Sequence, residues 1–403
     1  MSEWSKVRLG ELIKVKHGFA FPGQFITSEM TDRILVTPGN FCIGGGFKQG
    51  KFKYFSSHDY PAEYQFLGGE LIVTMTDLSK ETDTLGYSAV VPSDGKVYLH
   101  NQRVGLIEPI SAQSCLEFIY WLMRWRDYQE FIVNSASGTS VMHTSPSRIC
   151  EFEFELPPLP EQKAIASVLS SLDDKIDLLH RQNKTLEAMA ETLFRQWFIE
   201  EAKEDWEYVE LGSVVETSSG GTPSRKEMSY YKDGSIYWVK SKELNGSFIT
   251  ATEEMITDEA VKKSSAKMLP AYSTLIAMYG ATVGEYALIT KPMTCNQAVC
   301  AIKENGAYPY TFIFMFVKNQ KDELINQAVG SAQQNISQIL IKKLPIPTCT
   351  DRINEYHQLV NPWFKRMQLN VEQIQTLENL RDTLLPKLMS GEVRVQYQTE
   401  EVI

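Results

Sequence analysis

Residues able to do chemistry are sparse in this chain. Gly45-Gly-Phe-Lys-Gln-Gly50-Lys51 matches the G-x4-G-K spacing of a phosphate-cradling loop, in which backbone N–H groups hold the phosphate and a lysine reaches it. Phe52 follows where a hydroxyl should meet the metal, and no apolar strand leads in, so a glycine-rich turn with exposed lysines is the better reading. Asn361-Pro-Trp-Phe364 has a faint likeness to the (N/D)-P-P-(Y/F) tetrapeptide of amino-methyltransferases, but it lacks the second proline and any nearby G-x-G loop. His17, His58, His100, His143, His180 and His357 are isolated, without cysteine partners at ligand spacing, so no metal is expected. No G-x-S-x-G elbow is present, and no catalysis is expected in this chain.

What remains is chemistry suited to a polyanion. Lys48-Gln-Gly-Lys51-Phe-Lys53-Tyr54 and Thr222-Pro-Ser-Arg225-Lys226 mix basic, amide, hydroxyl and aromatic groups on glycine-rich loops. Hydroxyls and amides of that kind hold phosphates, while Arg, Lys, Asn and Gln discriminate base edges. The net charge of −10 argues globally against such a partner, yet residues 1–53 carry 8 basic groups against 4 acidic, so a local positive face is compatible with an acidic protein.

The elements that must position these groups come from an internal repeat. Gln182-Asn-Lys-Thr-Leu-Glu-Ala-Met-Ala-Glu-Thr-Leu-Phe194 aligns without gaps on Gln373-Ile-Gln-Thr-Leu-Glu-Asn-Leu-Arg-Asp-Thr-Leu-Leu385. Trp4, Leu9-Gly10, Asn101-Gln102 and Leu156-Pro157 pair in order with Trp206, Leu211-Gly212, Asn296-Gln297 and Leu344-Pro345. The chain therefore reads as two copies of one unit, a mixed domain followed by a long helix. Residues 165, 169, 172, 176, 179, 183, 186, 190, 193 and 197 follow +4/+3 steps, as do 356, 360, 363, 367, 370, 374, 377, 381, 384 and 388. That spacing predicts a coiled-coil seam, with Asn183 and Asn370 as register devices. A pseudo-twofold between copies predicts antiparallel helices, a rod of roughly 54 Å at about 1.5 Å per residue. Short strands are expected near residues 70–75, 88–91, 105–107, 236–239, 274–278 and 298–302, and core helices over 115–134 and 308–327.

The 403 residues, 43% hydrophobic and 22% charged, fall in the globular range and allow several domains. The six cysteines form no CxxC pair, the charged N-terminus does not read as a signal peptide, and apolar runs such as 311–317 are far too short to span a membrane. A cytoplasmic protein with reduced thiols and no membrane partner is expected.

Leu156-Pro-Pro-Leu-Pro-Glu-Gln162 followed by Ile165-Ala-Ser-Val-Leu-Ser-Ser-Leu-Asp173, then Leu193-Phe-Arg-Gln-Trp-Phe198, resembles the first conserved region of the specificity subunits of type I restriction-modification systems. Leu384-Leu-Pro-Lys-Leu-Met-Ser-Gly-Glu392-Val393 is similar to the end of their second region. Ser219-Gly-Gly-Thr-Pro-Ser224 with Ile236-Tyr-Trp-Val239, and Gly18-Phe-Ala-Phe21, are similar to their domain openings. One departure is that the second helix begins Thr350-Asp-Arg-Ile353, without the Pro-Glu-Gln of the first.

The resemblance implies an α+β fold: two mixed α/β target-recognition domains separated by two long helices that form an antiparallel coiled coil with a pseudo-twofold repeat. The expected boundaries are 1–155 and 206–348 for the recognition domains, 156–205 and 349–392 for the helical regions, and 393–403 for a tail. It also implies a non-enzymatic subunit that reads an asymmetric bipartite site on double-stranded DNA. Its implied partners are two methyltransferase subunits carrying S-adenosylmethionine and restriction subunits using ATP and Mg2+, with no cofactor in this chain. Two alternatives stay open, a coiled-coil scaffold for protein partners and the recognition subunit of a fused restriction-methylation system.

Chosen by chemistry and by equivalence between copies, the candidate DNA contacts are Lys48, Lys51, Lys53, Lys80, Arg103, Thr139 and Ser140 in the first domain. In the second they are Arg225, Lys226, Lys240, Lys242, Tyr279, Gln333, Gln334 and Asn335. Asn101-Gln102 and Asn296-Gln297, shared by both copies, are expected to serve the common fold. Trp197, Phe198, Trp363 and Phe364 are bulky enough for either core or partner docking, with core the better reading.

Overall fold

The computed structural model describes residues 4–77, 83–138, 141–328 and 335–396. The chain divides into two compact units, Met1–Asp174 with Leu377–Ile403, and Lys175–Thr376. Both divisions fall inside the long helices, Leu159–Arg195 and Thr350–Met389, so each unit holds part of both.

All twenty seam positions are buried or half-buried, as +4/+3 spacing requires of a stripe facing a partner helix. Within the second unit, Tyr356 Oη donates to the Ala190 carbonyl at 2.9 Å and Asn370 Nδ2 to Asn183 Oδ1 at 2.8 Å. Within the first, Arg381 meets Asp173 at 2.7 Å and Arg394 meets Glu161. Partners descend one helix as they ascend the other, so the pairing is antiparallel in each unit. The first helix ends in a π-helical turn, Gln196–Glu200, which buries Phe198.

The repeat is visible in the order of four strands of each main sheet. In the first unit an antiparallel sheet runs in the order Ile13–His17, Val104–Pro109, Leu71–Thr74, Ser88–Val90. Its counterpart in the second is Thr217–Ser219, Val299–Ile302, Thr274–Ala277, Tyr286–Ile289, extended by Phe248–Ile249. Outside these sheets each unit has a parallel strand pair in a second sheet, Arg33–Val36 beside Val97–His100, and Ile236–Val239 beside Thr294–Cys295. Each domain is closed by a short antiparallel ladder between its ends, Ser5–Arg8 with Glu153–Leu156, and Tyr208–Glu210 with Pro345–Pro347. The repeated Leu-Gly step has a physical role: Leu9 and Leu211 are fully buried, and their N–H groups bond the carbonyls of Phe152 and Leu344.

The expected helix over 115–134 is two helices, Leu116–Leu122 and Arg126–Asn134. The break carries Arg124, whose guanidinium stacks 4.2 Å from the Trp121 ring and bonds the Gly44 carbonyl, Tyr120 Oη and Asp173. These charge-assisted bonds compensate the helical bonds the break removes. The corresponding helix of the second domain, Tyr310–Asn326, is unbroken. There Lys318 reaches Glu187 and Glu191 of the first long helix at 2.7 and 2.8 Å.

The unequal helix starts have a structural counterpart. Glu161 is almost wholly buried, accepts from Trp4 Nε1 at 3.1 Å and pairs with both Nε and Nη2 of Arg394. Gln162 satisfies the Cys115 N–H and the carbonyls of Gln113 and Pro157. The second helix instead begins at Thr350, and Arg352 lies 3.6 Å over the Trp197 ring.

Candidate nucleic-acid interface

In each unit the polar candidates gather at the carboxyl end of the parallel strand pair. In the first, Lys53 opens a strand that pairs antiparallel with Arg33–Val36, placing it opposite Leu35. Lys48 donates its N–H to the Asn40 carbonyl just beyond that strand, and Arg103 follows Val97–His100 at the same end. Lys48, Lys51, Lys53 and Arg103 are all exposed, with Lys53 Nζ 2.9 Å from Ser28 Oγ. The structure thus brings these four to one end of one sheet. Lys80, Thr139, Ser140, Gln333 and Gln334 lie outside the described residues.

The G-x4-G-K loop has no phosphate-binding form, because it leads into the strand Lys53–Phe55 and not into a helix. Its first glycine serves Arg124. A Cβ on Gly45, which has φ +92°, would stand 2.6 Å from Arg124 Cγ, so only glycine lets the loop close over that side chain. A cleft of about 890 Å3 lies beside Arg124 and Arg381, but both guanidiniums already grip Asp173. Asn361-Pro-Trp-Phe364 lies within the second long helix, where Asn361 Oδ1 accepts from Tyr310 Oη at 2.7 Å and Phe364 is fully buried. Trp197, Phe198 and Trp363 likewise pack into or against the second unit's core. Among the described residues no group of three or more His, Cys, Asp and Glu side chains could hold a metal ion.

The second unit is built more tightly. Arg225 lies on the loop after Ser219, with its guanidinium 4.4 Å over Tyr231 and 5.1 Å over Trp238. Those rings pin the loop, Trp238 Nε1 donating to the Gly221 carbonyl at 3.0 Å and Tyr231 Oη to that of Pro223 at 2.6 Å. Lys240 and Lys242 follow the strand Ile236–Val239. Tyr279 Oη donates to the Gln297 carbonyl at 2.5 Å, and Tyr279 bridges to Asn335, so these two also join the same end.

Three of the basic candidates are not free. Arg225 pairs with Glu254 at 2.8 Å, Lys240 with Glu253 and Glu254 at 2.9 and 3.1 Å, and Lys242 with Glu253 at 2.7 Å. Hydrogen bonds from Lys242 and Lys240 hold the Glu253 carboxyl below its usual range. Burial works against charge on both Lys240 and Glu254, but bonds from Glu253 and Glu254 raise the lysine pKa, and bonds from Arg225 and Lys240 lower that of the glutamate. Sequence reasoning missed Glu253 and Glu254, because the strand pairing of Ile236–Val239 with Met255–Ile256 is what brings them alongside. Tyr231 and Trp238 were missed as well, although aromatics spaced among Arg225, Lys226 and Lys240 were a signal that could have found them.

The shared Asn-Gln step divides between roles. Asn101 Oδ1 accepts the Arg103 N–H and Asn296 Oδ1 the Ala298 N–H, at 3.0 and 3.2 Å, while each Asn carbonyl accepts the N–H three residues on. Added Cβ atoms on Gly18 and Gly220 would each sit 2.2 Å from those same carbonyls, so glycine is required opposite both turns. The asparagines serve the common fold as expected. Gln102 and Gln297 are exposed at the turn tips, with Thr222 bonding the Gln297 amide.

Comparison with known proteins places this geometry in context. A family model described as the type I restriction modification DNA specificity domain matches residues 1–188 and 203–353. The chain is similar to the type I restriction enzyme MjaIX specificity subunit of Methanocaldococcus jannaschii, 26% identical over 337 residues covering 78% of this chain and 73% of that one. It is similar also to the HindI specificity subunit of Haemophilus influenzae, 23% identical over 404 residues covering 78% and 87%. In fold it resembles the crystal structure of the type I restriction-modification S subunit from M. genitalium, with a TM-score of 0.62, 17% identity and 96% of each chain covered.

Proposed function

Since the chain belongs to the type I restriction modification DNA specificity family, we propose that it is the non-catalytic subunit that selects an asymmetric, bipartite site on double-stranded DNA. Each unit reads one half through the carboxyl end of its parallel strand pair. The observation that carries this reading is the equivalence of those two ends, each presenting exposed basic and amide groups around the same Gly-opposed Asn-Gln turn. Phosphate-binding and base-reading side chains on a rigid strand end are what such recognition needs. The helical regions dock two methyltransferase subunits, which carry S-adenosylmethionine, and restriction subunits that use ATP and Mg2+. This chain itself holds no cofactor, and the assembly works in the cytoplasm. Among the described residues no helix is long and apolar enough to cross a membrane.

The test is single-molecule methylome sequencing of cells expressing this chain with its neighbouring methyltransferase subunit, against the methyltransferase alone. A new bipartite motif methylated in both halves is expected. A folded complex that yields no new motif would overturn the reading. Saturable S-adenosylmethionine binding by the chain alone would instead mark it as an enzyme. The ion pairing of Arg225, Lys240 and Lys242 favours one second reading, a protein scaffold, whose duplex binding would be weak and insensitive to salt.

A further inference from the structure

Three cations on two segments of the second unit converge on two adjacent carboxylates. Glu243 enforces the convergence, one carboxylate oxygen accepting the Lys240 N–H at 2.7 Å and the other the Glu253 N–H at 2.8 Å. The turn after Ile236–Val239 and the segment before Met255–Ile256 are therefore held in register by a side chain that bonds only backbone there. Glu253 and Glu254 do the opposite, taking all their ion pairs from side chains. Arg225 and Lys242 remain more than half exposed, at 54% and 60%, while Lys240 is only 16% exposed.

The arrangement leaves three positive charges, Arg225, Lys240 and Lys242, among three negative ones, Glu243, Glu253 and Glu254, at the strand end assigned to DNA. A phosphate or base acceptor arriving there must compete for guanidinium and ammonium protons that already have acceptors. Any duplex supplies phosphates, but only one whose acceptors fall where Arg225 and Lys242 can reach them replaces the lost ion pairs. The Tyr231 and Trp238 rings fix the plane of the Arg225 guanidinium, which restricts the acceptor directions it accepts.

Resting on the DNA reading above, we infer that Glu253 and Glu254 are specificity-determining residues: they act as resident competitors that suppress binding of the second domain to arbitrary DNA. Selectivity of this kind is a difference of affinities built partly from a repulsive element. Glu253 is the cleaner probe, because it is exposed and its loss removes no packing.

The experiment uses the full chain assembled with its methyltransferase partner. Glu253→Gln, Glu254→Gln, Arg225→Ala and Lys242→Ala are compared with wild type on a random-sequence 40-base-pair duplex between about 50 and 300 mM KCl, and by methylome sequencing. Thermal melting checks that each variant is folded. Glu253→Gln should bind the random duplex about three- to tenfold more tightly at low salt, with a salt slope steeper by about one. Methylation at sites differing from the target in one half only should rise. If the glutamate variants bind random DNA no more tightly while Arg225→Ala or Lys242→Ala weakens target binding, the competitor role is overturned and the DNA face stands. If no folded variant changes DNA binding, the DNA face fails and the competitor role with it. Should Glu254→Gln prove unstable, Glu253→Gln alone decides.

Discussion

His100 ends its strand almost fully buried, with Nε2 2.8 Å from the Val104 carbonyl and its ring 4.8 Å from Phe66. Burial is the main cause that pushes its pKa down from 6.5 to about 4. The folded state therefore requires the neutral ring, and its stability is intact above the unfolded value and lost as pH falls from about 6.5 toward 4. Between pH 7 and 5 the loss should reach about 2 kcal/mol, read from denaturant midpoints. His100→Gln, which can donate the same bond without titrating, should flatten that dependence, and an unchanged dependence would show that His100 is not its source. Arg225 gives the second residue-scale prediction. Because its loop, rings and ion pair all lie in the second unit, Arg225→Ala should weaken binding or relax reading in one half-site only. Equal change in both halves would remove it from local readout.

At the scale of elements, polar residues interrupt the seam twice. Arg124 and Arg381 share Asp173, each at 2.7 Å, with side chains 6%, 18% and 24% exposed in the order Arg124, Arg381, Asp173. Asp173→Ala leaves Arg124 without its carboxylate and Arg381 with exposed Asp382 alone, and should cost about 2–4 kcal/mol in chemical denaturation. A cost below 0.5 kcal/mol would mean that water replaces the carboxylate at no penalty. Asn370 is fully buried against Asn183, so Asn370→Leu removes the donor from Asn183 Oδ1, whose Nδ2 keeps the Met367 carbonyl, and should cost about 1–2 kcal/mol. The double Leu variant should recover that stability and lose register specificity, the behaviour of a polar register device. Additive losses in the cycle would contradict it.

For the whole molecule, the consequential fact is that the first unit is discontinuous. Leu385, Leu388 and Met389, from the last turns of the second long helix, belong to the same buried cluster as Leu9, Trp121 and Ile165. Arg394 beyond them completes the ion pair with Glu161. A chain ending at Thr376 contains the entire first recognition domain yet should fail to fold it, while Lys175–Thr376 keeps its own core. Hydrogen exchange resolved by peptide would show protection lost over residues 5–156 and kept over 208–347. Retained protection in the first domain would show that its core closes without the second helix.

The sequence by itself determined the duplication, the seam, the antiparallel sense of the helices and the family. These are carried by periodic hydrophobicity and by short motifs repeated in order, and a helix or strand expresses such patterns locally. It also assigned the shared Asn-Gln step to the common fold, and the structure shows each asparagine capping its own turn, a role visible only as a residue type until the turn is seen. Only the tertiary structure decided which charges remain available to a partner. Arg225, Lys240 and Lys242 look free in a linear reading, and only strand pairing sets Glu253 and Glu254 against them. The same holds for Arg124, whose break in a helix-forming stretch is settled by a carboxylate 49 residues away. Electrostatic pairing acts over a few ångströms of space with no regard for sequence distance, so composition and periodicity carry no trace of it.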